Sequence, residues 1–160
     1  NTKLAELDKE LFKISRKRKR AYEAACKLNP DYVRGKKFHL AFLRSQRFDA
    51  KEAAGVIINH FDMKQKVFAN YPAEIQGREV KFTDLSPDAR EFVEGGHLQV
   101  SASNDAAGRS VVFYFTQHEV TTSVEGRKQA IWYSLTCRSR NENAQRFGEV
   151  AVAYYGERRR

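Results

Sequence analysis

Four histidines, at positions 39, 60, 97 and 118, and two cysteines, Cys26 and Cys137, are the side chains best suited to ligate a metal or to supply a nucleophile and its base. Their spacing contains no HExxH and no i,i+4 histidine pair, the arrangement that sets two imidazoles on one helical face around zinc. Neither cysteine lies in a CxxC pair, and neither has a histidine or a basic helix start near it in sequence to favour the thiolate. Carboxylates are scattered, with no spacing that seats a pair in one apolar pocket for acid and base roles. The turn "SNDAAGRS" has a single glycine and lacks both GxGxxG and GxxxxGKS/T, whose backbone amides cradle phosphate. The expectation is a protein that is not an enzyme, with no catalytic residue, metal or cofactor. Two distant cysteines form no disulfide framework, which fits a reducing, cytoplasmic setting.

What remains chemically is charge. The chain of 160 residues carries a formal net charge of +9. Residues 1–50 hold 14 Lys and Arg against 6 Asp and Glu, whereas residues 51–160 hold 15 against 14, so the excess belongs to the N-terminal third. Its densest point is "SRKRKR", the consecutive cations Arg16, Lys17, Arg18, Lys19 and Arg20. Nucleic acid, an anionic membrane and an acidic protein would all be drawn to such a patch, since each presents dense negative charge.

The elements that position these residues follow from periodicity. Leu4, Leu7, Leu11, Ile14, Tyr22, Ala25 and Leu28 recur at helical spacing and predict one helix ending before Pro30, with Arg18 interrupting its apolar stripe. A short helix over 36–46 is predicted with Phe38, Ala41, Phe42 and Ser45 on one side. Asp49 then has the features of an N-cap, with Glu52 three residues on to reciprocate and Phe48 positioned to staple onto Ala53. The helix that follows runs to about Phe68 and lays Ala53, Ile57, Phe61, Lys64 and Phe68 on one side; His60 lies beside that stripe as a structural histidine.

Residues 71–84 have a Pro, a Gly and no regular apolar period, which marks a connector between units 1–70 and 85–160. Ser86, Pro87, Asp88 and Gly95 predict a compact helix with an N-cap, a first-turn proline, an acidic first turn and a glycine stop. "HLQVSAS" and "RSVVFYFT" are β-rich runs joined by "NDAAG", where Gly108 is free to take positive φ. One helix is predicted over about 125–146, with Trp132 and Tyr133 in its core, followed by the strand "EVAVAYY". Strand 110–116, that crossover and strand 149–155 form a βαβ unit with parallel strands. The fold class is therefore α/β: a helical N-terminal subdomain followed by an α/β domain. A lone parallel pair leaves one sheet face bare, and the chain opens on Asn and stops just after a strand, so both ends are expected to continue in a longer protein. No apolar run approaches the roughly 20 residues of a membrane span.

The pair of segments meeting at "SQRFD" invites a helix-turn-helix reading. Yet the second helix begins "AKEAAGVIINHF", alanine-rich and mixed in charge, which suits close packing better than base readout, and the cations lie on the first helix. No specific nucleic acid is expected as a partner.

"FLRSQRFDAKEAAGVIINHFDMKQKVF" resembles the N-terminal helical subdomain of the CRAL-TRIO (Sec14-like) family, through Leu43, Arg44, Arg47, Phe48, Asp49 and Ala53. "NDAAGRSVVFYF" is similar to the first strand of that family's lipid domain, matching at Asp105, Gly108, Arg109 and Val111, with Ser110 in place of the usual Pro. The likeness spans about residues 36–156. It implies that 1–70 is the helical CRAL-TRIO subdomain with a basic first helix, 71–84 the connector, and 85–160 the first, truncated part of the lipid-binding domain. The implied activity is non-catalytic binding and transfer or presentation of a small hydrophobic lipid at membranes, with Val112 and Tyr114 toward the cavity and Phe113 and Phe115 toward helices. The implied partners are a hydrophobic lipid and an anionic membrane surface met by Arg16, Lys17, Arg18, Lys19 and Arg20, in a cytoplasmic protein peripheral on membranes. A cargo-free module that docks to anionic membrane or an acidic protein is the alternative.

Overall fold

The computed structural model describes residues 2–116 and 122–155; His118 and the terminal arginines lie outside them. The chain divides into two compact units, Asn1–Glu79 and Val80–Arg160. The division falls inside the 71–84 segment.

The first unit is helical. Leu7 and Leu11 bury one side of α1 (Thr2–Lys13). The single helix expected through Leu28 is broken: α2 starts only at Arg20 and runs to Leu28. Between them the amides of Arg18 and Lys19 donate to the Ser15 carbonyl at 3.0 and 3.2 Å, closing a tight turn. Like charges three and four residues apart disfavour a helix continued through the five adjacent cations. Lys19 adds a positive reason, because its Nζ returns to the Leu11 and Phe12 carbonyls at 2.9 and 3.4 Å and satisfies the C-terminal end of α1.

Asn29 caps the short α3 (Pro30–Val33) by accepting from the Tyr32 amide at 3.1 Å. In α4 (Lys36–Ser45) the fully buried residues are His39 and Leu43, while Phe38, Ala41 and Phe42 are half-buried and Ser45 is exposed. The expected face is thus rotated, because α4 packs against both α1 and α5. It ends in a Schellman turn, with the Phe48 amide donating to the Leu43 carbonyl at 2.7 Å and the Arg47 amide to Arg44 at 3.1 Å. That turn puts Arg47 and Phe48 at φ of +52° and +63°. The staple therefore does not form, and Phe48 stays 39% exposed.

Asp49 caps α5 (Ala50–Val67) as expected, accepting from the Lys51 and Glu52 amides at 2.9 and 3.0 Å. The Asp49 amide itself donates to the Gln46 carbonyl at 2.9 Å, so Glu52 has nothing to reciprocate. Ala53, Ile57, Phe61, Lys64 and Phe68 are all buried, as their period predicts. The Lys64 ammonium donates to the carbonyls of Gln76 and Arg78, which fixes the 3₁₀ turn Ala73–Gly77 onto α5.

The second unit is mixed. After a 3₁₀ turn at Phe82–Asp84 comes α6 (Pro87–Glu94), capped by Ser86, whose Oγ accepts from the Ala89 amide at 3.3 Å. Strands β1 (Leu98–Val100), β2 (Ser110–Thr116) and β3 (Glu149–Tyr155) form one sheet in that order. β1 pairs antiparallel with β2, and β2 parallel with β3, with Ser110 opposite Glu149 and Val112 opposite Ala151. The βαβ unit is as expected. Its connection, however, is two helices, α7 (Val124–Arg138) and α8 (Glu142–Phe147), because Asn141 accepts from the Asn143 amide at 2.8 Å and restarts the helix. Trp132 and Tyr133 are half-buried; the inner face of α7 is Gly126, Gln129, Ala130, Ser134 and Arg138.

Candidate functional site

The turn between α1 and α2 carries the cationic run. Arg16, Lys17, Arg18 and Arg20 are exposed, and Lys19 is half-buried. Of the five expected to meet an anionic surface, Lys19 is thus occupied by the C-terminal carbonyls of α1. Its ammonium also stands 5.9 Å from the centroid of the Phe12 ring. Phe12 is 85% exposed and lies at the same turn. Sequence periodicity passed over it, because it falls off the Leu4–Leu7–Leu11 stripe; a large aromatic beside a cation run was the available signal. A groove of about 310 Å³ lies between α1 and the start of α5, lined by Lys3, Glu6, Lys9, Glu10, Lys13 and Lys51 among others. Lys3 pairs with Glu6 and Lys13 with Glu10, each at 2.6 Å, so its charges largely answer one another.

The titratable groups of this unit sit in packed surroundings. His39 is buried, with Nδ1 3.7 Å from Asp8 Oδ1, and burial lowers its pKa despite that carboxylate. His60 meets the rings of Phe38, Phe42 and Phe61 at 5.6, 5.4 and 5.1 Å. Burial, helped by the Lys64 charge, pushes it down to about 3. Cys26 is buried beside Tyr22 and Arg34, a basic neighbour that its sequence surroundings did not reveal. Burial raises the Tyr22 phenol, and burial with the Glu79 carboxylate pushes Tyr32 up to about 12. Among the described residues no group of three His, Cys, Asp or Glu could hold a metal ion. No helix among them is long and apolar enough to cross a membrane.

In the second unit the sequence explains why β2 starts where it does. Asp105 Oδ1 accepts from the Ala107 and Arg109 amides at 3.0 and 2.8 Å, and Oδ2 accepts from Arg109 Nε at 2.7 Å. Those bonds hold the Asp105 carboxyl below its usual range. Gly108 supplies φ of +79° within the same turn. The motif residues Asp105, Gly108 and Arg109 are therefore one clasp that aims the strand.

Alternation then divides β2 and β3 into two faces. Ser110, Val112 and Tyr114 share one with Ala151, Ala153 and Glu149. Val112 is fully buried and Tyr114 half-buried. Buried Arg138 at the end of α7 forms an ion pair with Glu149 at the start of β3, tying the crossover helix to this face. The opposite face is Val111, Phe113, Phe115, Val150, Val152 and Tyr154. Phe113 and Phe115 stack at 6.3 Å between centroids, and Phe115 meets Tyr154 at 6.4 Å. Its β3 half is open, with Tyr154 59% exposed. Of the two residues expected toward a cavity, Val112 is buried and Tyr114 half-buried, while Phe113 and Phe115, expected toward helices, are half-buried on the face whose β3 half is open.

The chain matches no protein-family profile, no curated protein and no solved structure.

Proposed function

We propose that this protein binds a small hydrophobic lipid and presents or transfers it at membranes, without covalent chemistry. In this reading the second unit is the first part of a Sec14-like lipid domain, and the first unit is its helical companion. One observation carries it: the sheet face of Val111, Phe113, Phe115, Val150, Val152 and Tyr154 is apolar, aromatic and partly open. Hydrocarbon laid on such a face gains about 0.8 kcal/mol per CH₂ removed from water. A lipid suits it better than a polar ligand, because the face offers almost no hydrogen-bonding side chain. The ligand-contacting residues are accordingly Phe113, Phe115, Val152 and Tyr154, in place of Val112 and Tyr114. Catalysis has no part in it, and the setting is cytoplasmic and peripheral on membranes.

Against base readout stands the packing of α5, which buries Ala50, Ala53 and Ala54 near its start. A second reading, a cargo-free module that docks to anionic surfaces, draws on the exposed cations at the α1–α2 turn. Mass spectrometry of organic extracts from the purified protein separates the two. Co-purifying lipid is expected from the parent chain, with loss in Phe113→Asp and Val152→Asp variants that keep their circular dichroism. A clean extract from the parent chain favours the docking module and removes the carrier.

A further inference from the structure

Phe12 stands at the tip where α1 ends, 85% exposed, and within eight residues of it in sequence are Lys13, Arg16, Lys17, Arg18 and Arg20, all exposed. A helix continued through this run would have scattered those cations around its circumference. The turn closed on the Ser15 carbonyl instead gathers them at one end of the helical unit. Lys19 does not compete for a partner, since its ammonium is held by the Leu11 and Phe12 carbonyls. That bond also braces the backbone that carries Phe12. The result is an exposed aromatic ring at a braced helix end, next in the chain to a run of exposed cations.

We infer that the α1–α2 turn is a membrane-docking tip in which Phe12 inserts among the lipids while Arg16, Lys17, Arg18 and Arg20 meet anionic headgroups. This rests on the reading that the protein works at membranes, and names the surface and the lipid chemistry it meets. Charge complementarity selects an anionic bilayer, and the ring selects a bilayer over a bare polyanion: phosphate contacts alone leave an exposed aromatic without a role, whereas an interface accepts its apolar body at headgroup depth. Neither component suffices alone. A few cations give weak, salt-sensitive attraction, and one ring adds a partner that salt does not screen.

Sedimentation of the chain with phosphatidylcholine vesicles, with and without phosphatidylserine, tests this. Binding is expected to need phosphatidylserine and to weaken as salt rises. Phe12→Ala is expected to lower the affinity about tenfold while leaving the salt dependence unchanged. The triple change Arg16→Glu, Lys17→Glu, Arg18→Glu should lower it by at least about tenfold and abolish the preference for phosphatidylserine. Because the ring is exposed, Phe12→Ala should unfold at the temperature of the parent chain. A Phe12→Trp chain carrying Trp132→Phe should be quenched by brominated lipid. Equal binding of Phe12→Ala and the parent, or cation-dependent binding to duplex DNA with none to vesicles, overturns the inference. Loss of vesicle binding with lipid still in the extract removes the docking tip alone; Phe12-dependent binding with a clean extract upholds the tip and removes only the cargo.

Discussion

Gly126 has no room for a methyl group: a Cβ there would stand 2.3 Å from Asp88 Oδ2. That carboxylate accepts from Ser123 Oγ at 2.6 Å and the Ser123 amide at 3.1 Å, while Oδ1 accepts from Ser86 Oγ at 2.5 Å and the Ala89 amide at 3.0 Å. Ser86 and Ser123 are the N-caps of α6 and α7, so one carboxylate serves two helix starts. The Ser123 and Ser86 hydroxyls, with those amides, pull Asp88 down to about 2. Gly126→Ala is expected to cost about 2 kcal/mol in urea unfolding by forcing Asp88 out. The same change in an Asp88→Ala background should cost almost nothing, because the obstructing atom is gone, and the cycle should be strongly non-additive. Arg47 makes the reverse case. It holds φ of +52° where a Schellman turn favours glycine, so Arg47→Gly should raise stability by about 1 kcal/mol, read as a higher urea midpoint at unchanged slope.

At the scale of elements, Arg138 ties the end of α7 to the start of β3. Its guanidinium is buried, donates from Nε to the Ser134 carbonyl at 3.2 Å and pairs with Glu149 across the crossover. Arg138→Met should cost about 2 kcal/mol in urea unfolding, since it strands a partly buried carboxylate, and Arg138→Met with Glu149→Gln should recover much of that. Apolar period explains what was legible in the sequence and what was not. Strands 110–116 and 149–155 and helix α5 could be read because their apolar periods run unbroken from end to end. The breaks at 14–19 and 139–141 could not. The pattern on either side of each is helical, and the break is made by side chains that bond backbone, Lys19 to a carbonyl eight residues back and Asn141 to an amide two residues ahead. The face of β2 was ambiguous for a different reason. Val111, Phe113 and Phe115 are as apolar as Val112 and Tyr114, so alternation leaves two equal choices, and only packing distinguishes Val112, which is fully buried. Phe12 escaped for the opposite reason, as a residue that no core period claims.

The whole molecule joins two units whose acid sensitivities differ in kind. In Asn1–Glu79 the sensitive groups are His39 and His60, both held neutral by burial, with Arg34 opposing the His39 charge and Lys64 that of His60. Asp8 and a hydrogen bond to the Val33 backbone favour a protonated His39, but burial outweighs them. A histidine with a lowered folded pKa binds fewer protons folded than unfolded, so its contribution is complete above the unfolded value near 6.5 and is lost as pH falls toward the folded one, about 3 for His60. The slope is at most about 1.4 kcal/mol per pH unit for each group. In Val80–Arg160 the sensitive groups are Asp88 and Asp105, both lowered, so their contributions are present above 3.8 and are lost only as pH falls below it, toward about 2 for Asp88. The helical unit should therefore loosen first on acidification, while the mixed unit still holds. Helical ellipticity reports chiefly the first unit, and Trp132, the single tryptophan, reports the second. The expected result is an ellipticity loss that begins below pH 6.5 and precedes any change in tryptophan emission. His60→Leu should delay that loss, because a side chain without a titratable ring has no proton to gain, and emission should keep its own midpoint. Coincident transitions in both signals, unmoved by His60→Leu, would mean that the histidines do not govern the acid limit and that the two units unfold as one.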